Sequence, residues 1–324
     1  MKAVVYENYG SPDLLQFKEV EKPVPEENEA LVKVCAVSIN DWDWGLLQGT
    51  SIVNRLINGL LKPNKKILGS DIAGRIEAVG KNVKKFKPGD EVFGDLSGRW
   101  GGFAEYACAP ENMLAFKSHK MTFEEAAAIP QAGMLAVQGL IDKGHIKDGL
   151  KILINGAGGG VGTLGVQIAK LFNVEITGVD CTEKLELMRS LGFDHVVDYT
   201  KEDFTGTSLS YDLILDVKTN RSVFKYTKAL RPDGIYITVG GSSSRLLQVL
   251  ILKPFIKSIM KKNISIVMLK QNKDLDYMNE LYESGKLKPV IDGSFQLNEI
   301  PKALRIFGKG KHKGKLVATV DYNS

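Results

Sequence analysis

Five glycines within seven residues, Gly156-Ala157-Gly158-Gly159-Gly160-Val161-Gly162, form the densest chemical signal in the sequence. They follow the apolar run Ile152-Leu153-Ile154 and precede a stretch, 161–172, with the periodicity of an amphipathic helix. A buried strand that turns through glycines into a helix leaves the first helical N–H groups unpaired and partly positive. Without Cβ atoms in the way, a phosphate can approach that backbone closely. The spacing Ala157-x-Gly159-x-x-Gly162 has Ala where the usual dinucleotide fingerprint has its first Gly. The pattern predicts a dinucleotide whose pyrophosphate lies over Gly159, Gly160 and Val161.

Asp180 closes the next strand-like run, 175–179, about 20 residues beyond the turn. A carboxylate there can accept hydrogen bonds from both adenosine ribose hydroxyls, which favours NADH, or it can cap the turn that follows it. Lys184 or Arg189 could instead supply charge to the 2′-phosphate of NADPH, and Tyr199 could lie against the adenosine. Both cofactors stay open at this point.

These residues need a frame of strands to hold them. Apolar runs at 152–154, 175–179, 195–197, 213–215 and 236–239 alternate with helical stretches such as 161–172 and 184–191, the signature of a parallel sheet wound with helices. Before residue 122 the texture differs. Short β-type runs at 3–6, 30–37, 72–79 and 91–93 are separated by Gly, Pro and Asn turns, as in a compact, mainly β, barrel-like unit. Thr122-Phe123-Glu124-Glu125 reads as a helix start with a capping acid, and the stretch from 286 to 320 returns to short strands. The expected fold class is α/β. A mainly β domain of 1–121 and 286–324 is paired with a doubly wound, dinucleotide-binding domain over 122–285.

Composition narrows the functions. The 324 residues, 44% hydrophobic, suit two domains, and the net charge of +5 is dispersed among 43 Lys and Arg balanced by 38 Asp and Glu, which gives no nucleic-acid footprint. Cys35, Cys108 and Cys181 lie far apart, so neither a disulfide framework nor a thiolate metal lobe is expected, and a cytoplasmic setting fits. The opening MKAVVYENYG lacks the pattern of a secretory signal. The longest apolar run, 246–252, is much shorter than the roughly 20 residues that span a bilayer.

Several motifs occur in order along nearly the whole chain: Gly69-Ser70-Asp71-Ile72-Ala73-Gly74, Val79-Gly80, Phe86-Lys87-Pro88-Gly89-Asp90, Gly102-Phe103-Ala104-Glu105-Tyr106, Ala126-Ala127-Ala128-Ile129-Pro130, Gly158-Gly159-Gly160-Val161-Gly162 and Gly314-Lys315-Leu316-Val317. Together they resemble the zinc-free quinone oxidoreductase branch of the medium-chain dehydrogenase/reductase superfamily. The resemblance implies a GroES-like β domain, a Rossmann domain, an active-site cleft between them and a homodimer through the Rossmann domain. It also implies hydride transfer from NADPH or NADH to a small lipophilic quinone or α,β-unsaturated carbonyl.

Zinc-containing relatives carry a Cys ligand and a Gly-His-Glu triplet where this chain reads Ser38-Ile39-Asn40-Asp41 and Gly69-Ser70-Asp71, so no zinc is expected. In the quinone oxidoreductases an Asn and an Asp lie near nicotinamide and substrate, an arrangement similar to Asn40-Asp41-Trp42-Asp43. The resemblance thus makes Asn40 a donor at the reacting centre and Asp43 the group that orients a water or a neighbouring donor. The alternative is that Asn40 satisfies backbone groups and Asp43 begins a helix. Val239-Gly240-Gly241 is similar to the loop that closes over nicotinamide. A dinucleotide-binding redox sensor or crystallin-like protein without turnover is the other functional reading.

Two stretches, 52–62 and 245–262, mix Leu and Ile with basic residues and contain no acid. They either flank a lipophilic entrance in weak peripheral contact with a membrane, or they are ordinary helices buried against the sheet.

Overall fold

Small and β-branched residues dominate the strand Glu29–Ser38, EALVKVCAVS, and eight of its ten residues are buried. It is the spine of the first sheet, pairing antiparallel with Asp71–Val79, Tyr106–Pro110 and Lys315–Thr319. Gly74 permits the tight crossing with Asp71–Val79, because a Cβ there would stand 2.2 Å from the Lys33 carbonyl oxygen. The sheet extends through Glu91–Asp95 and Ala115–Phe116 on one side and through Ile291–Gln296 on the other. Pairing of Val317 with Ser38, and the bond from Ile39 N–H to the Leu316 carbonyl, set the last strand beside residues 38–40.

The computed structural model describes residues 1–206 and 210–322. The chain divides into two units, the first comprising Met1–Gln131, Gln271–Gly285 and the described residues from Ile291 onward, the second Ala132–Lys270 and Lys286–Val290. The boundaries at 121 and 286 expected from sequence texture therefore move. Helix Phe123–Ala127 begins at the Thr122 capping box, as its residues suggested, but it belongs to the first unit. The reason lies in specific bonds. Tyr282 in the helix Leu275–Glu283 donates to Glu125 at 2.6 Å, and Asn279 of the same helix donates to the Phe116 carbonyl at 2.8 Å.

The second unit is built on a six-stranded, wholly parallel sheet. Its spatial order is His195–Asp198, Glu175–Asp180, Lys151–Asn155, Tyr211–Asp216, Leu230–Thr238 and Asn263–Ile266, the order of a doubly wound dinucleotide fold. Ile152, Leu153, Ile154, Ile214 and Leu215 are fully buried, as continuous apolar strands covered on both faces require. The edge strand Asn263–Ile266 gave no clear sequence signal.

The two basic, apolar stretches are not core helices. In the 18-residue helix Ser243–Met260 only Val249 and Ile256 are buried, while Leu247, Leu250, Ile251, Phe255 and Ile259 face solvent. Ile52, Val53, Leu56 and Ile57 of helix Ile52–Asn58 are exposed as well. No helix among the described residues is long and apolar enough to cross a membrane.

At the carboxyl ends of the central parallel strands one buried carboxylate organises the loops. Asp216 accepts from Asn155 Nδ2 at 2.8 Å, Tyr236 OH at 2.7 Å, and the Lys218 and Thr219 N–H groups at 3.1 and 2.9 Å. Asp216→Ala leaves these donors unpaired and is expected to cost about 3 kcal/mol or more. A urea unfolding midpoint near that of the wild type, measured without dinucleotide, would refute this account.

Candidate active site

The glycine turn is tied to its neighbouring strand before any ligand arrives. Gly156 and Ala157 N–H both donate to the Val179 carbonyl, at 2.9 and 3.1 Å. Gly162 packs so closely that a Cβ would stand 2.4 Å from the Gly156 carbonyl oxygen. Around Gly159, in contrast, the nearest atom to such a Cβ is 3.5 Å away, so the turn is open where a phosphate would approach. Helix Gly160–Ala169 starts there, and its first i to i−4 bond is from Thr163 N–H to the Gly159 carbonyl at 2.9 Å. The N–H groups of Gly160, Val161 and Gly162 therefore have no intrahelical acceptor, and the residues present fit a pyrophosphate.

Asp180 lies at the end of its strand, against the glycine turn. Its buried carboxylate accepts from Gly158 N–H at 2.9 Å and Cys181 N–H at 2.9 Å, and it pairs with Lys184 Nζ at 3.5 Å. It faces into the glycine turn rather than outward to a ribose. Lys184 is likewise wholly buried, with its aliphatic stem against Gly158 and its ammonium on Asp180. Tyr199 is exposed, and its N–H bonds to the Asp180 carbonyl at 3.2 Å, which puts it beside this turn. Val239 and Gly240 follow the strand Leu230–Thr238, with Val239 N–H on the Asp216 carbonyl at 3.1 Å and the Gly240 carbonyl capped by the Thr219 and Thr238 hydroxyls.

In the first unit, Asn40 ends the strand region and precedes helix Asp41–Gln48. Asp43 is fully buried, and its two oxygens accept from Asn40 N–H and Gly69 N–H, each at 2.9 Å. It thus starts the helix and staples it to the Gly69 turn, facing inward rather than toward a water or substrate. Burial pushes its carboxyl up to about 7, against the pull of those two backbone donors.

The group that orders this cluster was not singled out from sequence. Lys315, seen there only as part of a closing-strand motif, is buried and donates to Asn40 Oδ1 and to the Ile39 carbonyl at 3.2 Å, with Asp71 Oδ2 at 3.6 Å. An ammonium has only donors, so it fixes the oxygen end of the Asn40 amide. Nδ2 then donates to Ser70 Oγ at 3.0 Å, and the amide also hydrogen-bonds to the Asp71 carboxylate. Asp71 also accepts from Gln131 N–H and from Ser38 Oγ at 3.4 Å. Its burial and the nearby Asp95 raise its carboxyl to about 7, while Lys315 opposes the rise.

Comparison with known proteins gives two family-model matches: residues 26–119 to the alcohol dehydrogenase GroES-like domain and residues 191–317 to zinc-binding dehydrogenase. Quinone-oxidoreductase QR1 of Triphysaria versicolor is 33% identical over 98% of this chain and 98% of its own length. The NADPH-dependent alkenal/one oxidoreductase of Arabidopsis thaliana is 31% identical over 98% of this chain and 79% of its own. Among solved structures, the quinone oxidoreductase from Coxiella burnetii superposes with a TM-score of 0.89 at 26% identity, covering 99% of each chain.

Two expectations test the geometry. Since the folded pKa of Asp43 lies above its usual 3.8, its contribution to stability is complete below about pH 4 and is lost as pH rises through about 7. The stability gap between wild type and Asp43→Asn should therefore narrow from pH 5 to pH 7.5 in urea titrations, and a widening gap would contradict the assignment. Asp180→Ser should loosen the glycine turn and raise the Kd for NADH and NADPH together. A switch of preference between the two, read by fluorescence titration, would instead place Asp180 on the ribose.

Proposed function

Because the chain belongs to the medium-chain dehydrogenase/reductase superfamily, we propose that it is a zinc-independent, NAD(P)H-dependent reductase of quinones and α,β-unsaturated carbonyls. The observation that carries this reading is the buried Lys315 that orients the Asn40 amide. When bound, the dinucleotide supplies a hydride. The chain's own task is to meet the negative charge that then develops on the acceptor oxygen. An amide whose oxygen is held by an ammonium is a fixed, polarised donor, and an acceptor oxygen would take the place of one of its present partners, Ser70 or Asp71, with little reorganisation.

The same cluster supports chemistry without zinc. Ser38, Asn40, Ser70 and Asp71 stand where the resemblance puts the ligands of zinc enzymes, and they form one hydrogen-bonded cluster in which Asn40 and Asp71 meet the Lys315 cation. Hydroxyls and an amide are poor zinc ligands beside thiolate and imidazole, and the one carboxylate of the set, Asp71, is paired with Lys315. The match to zinc-binding dehydrogenase covers 191–317 and so does not include those four residues.

On the cofactor, the inward turn of Asp180 removes the carboxylate that would repel a 2′-phosphate, and we read the preference as NADPH. The 2′-phosphate would then lie on the exposed side near Tyr199. We read the acceptor as a small lipophilic molecule and the assembly as a homodimer formed through the second unit, whose sheet ends in the edge strand Asn263–Ile266. The three free thiols, each raised above its ordinary pKa chiefly by burial, are consistent with a reducing cytoplasm.

Oxidation of NADPH and NADH against 1,4-naphthoquinone and a medium-chain enone, with and without chelator, tests this. Turnover unaffected by chelator is expected, with Asn40→Ala lowering kcat by about 10²–10³ and leaving dinucleotide affinity unchanged. Tight dinucleotide binding with no turnover on any acceptor would overturn the reading in favour of a redox sensor.

A further inference from the structure

The helix Ser243–Met260 is difficult to explain as part of a water-facing surface. It lies between the strands Leu230–Thr238 and Asn263–Ile266 and packs on the latter, yet only Val249 and Ile256 are buried. At helical spacing, Leu247, Leu250, Ile251, Phe255 and Ile259 share one outward stripe, and Leu250, Ile251 and Ile259 are each more than 60% exposed. Single exposed leucines are common in proteins, but an apolar stripe about three and a half turns long marks a contact surface.

Charge identifies the contact. Residues 243–262 contain Arg245, Lys253, Lys257, Lys261 and Lys262 and no Asp or Glu, so this segment alone carries five positive charges, equal to the net charge of the whole chain. Lys253 and Lys257 are exposed, follow one margin of the stripe and form no ion pair among the described residues. An apolar face with lysines along its margin suits a helix lying in the plane of a bilayer. Its side chains enter the acyl boundary while the lysine stems reach up to anionic headgroups. A second copy docking the same face across a twofold axis would instead bring unpaired lysines from both sides with no acid to meet them.

We propose that helix Ser243–Met260 is the docking surface for an anionic phospholipid bilayer. The helix lies on the membrane rather than across it. The second unit thereby gains access to molecules dissolved in lipid, an inference that stands apart from which acceptor is reduced. Helix Ile52–Asn58 of the first unit, likewise free of acids and followed by Lys62, Lys65 and Lys66, has the same chemistry on its own surface.

Flotation of the full chain with mixed phosphatidylcholine and phosphatidylglycerol vesicles, and with pure phosphatidylcholine, tests the proposal. The expected result is association with the anionic vesicles that falls with added salt. Lys253→Glu with Lys257→Glu should weaken it at least about tenfold, and Leu250→Gln with Phe255→Gln should abolish it. Unchanged NADPH affinity in both double variants, neither of which touches the dinucleotide turn, certifies that they fold. No association at low salt, or equal association with neutral vesicles, would overturn the proposal. So would a dimer, seen by sedimentation, that the Leu250→Gln, Phe255→Gln variant dissociates, since a second copy would then cover the stripe.

Discussion

An ammonium taken out of water needs an acceptor for each of its three protons and a counter-charge close by, or its burial is prohibitively costly. Lys315 has two such acceptors in the Ile39 carbonyl and the Asn40 amide oxygen and its counter-charge in the Asp71 carboxylate at 3.6 Å, and each of those partners is thereby fixed. The last strand of the sheet, the turn after the first long strand and the Asp71–Val79 strand are held to one point by a single charge. The direction of the Asn40 amide follows from this arrangement. Removing Lys315 would free the amide to flip and leave Asp71 without its cation in a fully buried place.

The second unit uses the same device on its glycine turn. Lys184 and Asp180 form a buried pair whose carboxylate also takes the Gly158 and Cys181 N–H groups, so an ion pair sets the backbone that a phosphate would meet. Asp216 does corresponding work for the loops after the neighbouring strands, without a cation but with four donors. In both units the polar interior serves geometry more than stability, since a paired buried charge gains little net energy but is expensive to disturb.

That distinction explains what the sequence could disclose. The parallel strands, the glycine turn, the Thr122 capping box and the first unit's β texture were legible because each rests on a local period or on residues a few positions apart. The unit boundary was not. The helices Phe123–Ala127 and Leu275–Glu283 are more than 140 residues apart in the chain and are joined by a Tyr282–Glu125 bond that no local pattern announces. Asp180 and Asp43 were found as residues, but the direction of each carboxylate depends on N–H groups supplied by distant turns, and in both cases these draw it inward. Lys315, 275 residues from Asn40, had only its strand motif to mark it.

The lysines themselves separate into two kinds. Lys117, Lys184 and Lys315 are buried, and each has a carboxylate within 2.9 to 3.6 Å, so their charges are spent inside the fold. A further set of lysines and arginines is paired at the surface, as in Lys22–Glu77, Arg75–Glu91 and Lys151–Glu175. Lys253 and Lys257 belong to neither kind: they are exposed, lie on a segment without acids and border the apolar stripe of their helix. A dispersed net charge of +5 would be only a matter of solubility. Three cations, Arg245, Lys253 and Lys257, share one helix with no acid, and charge gathered beside apolar side chains has a direction, toward a surface that is both negative and greasy.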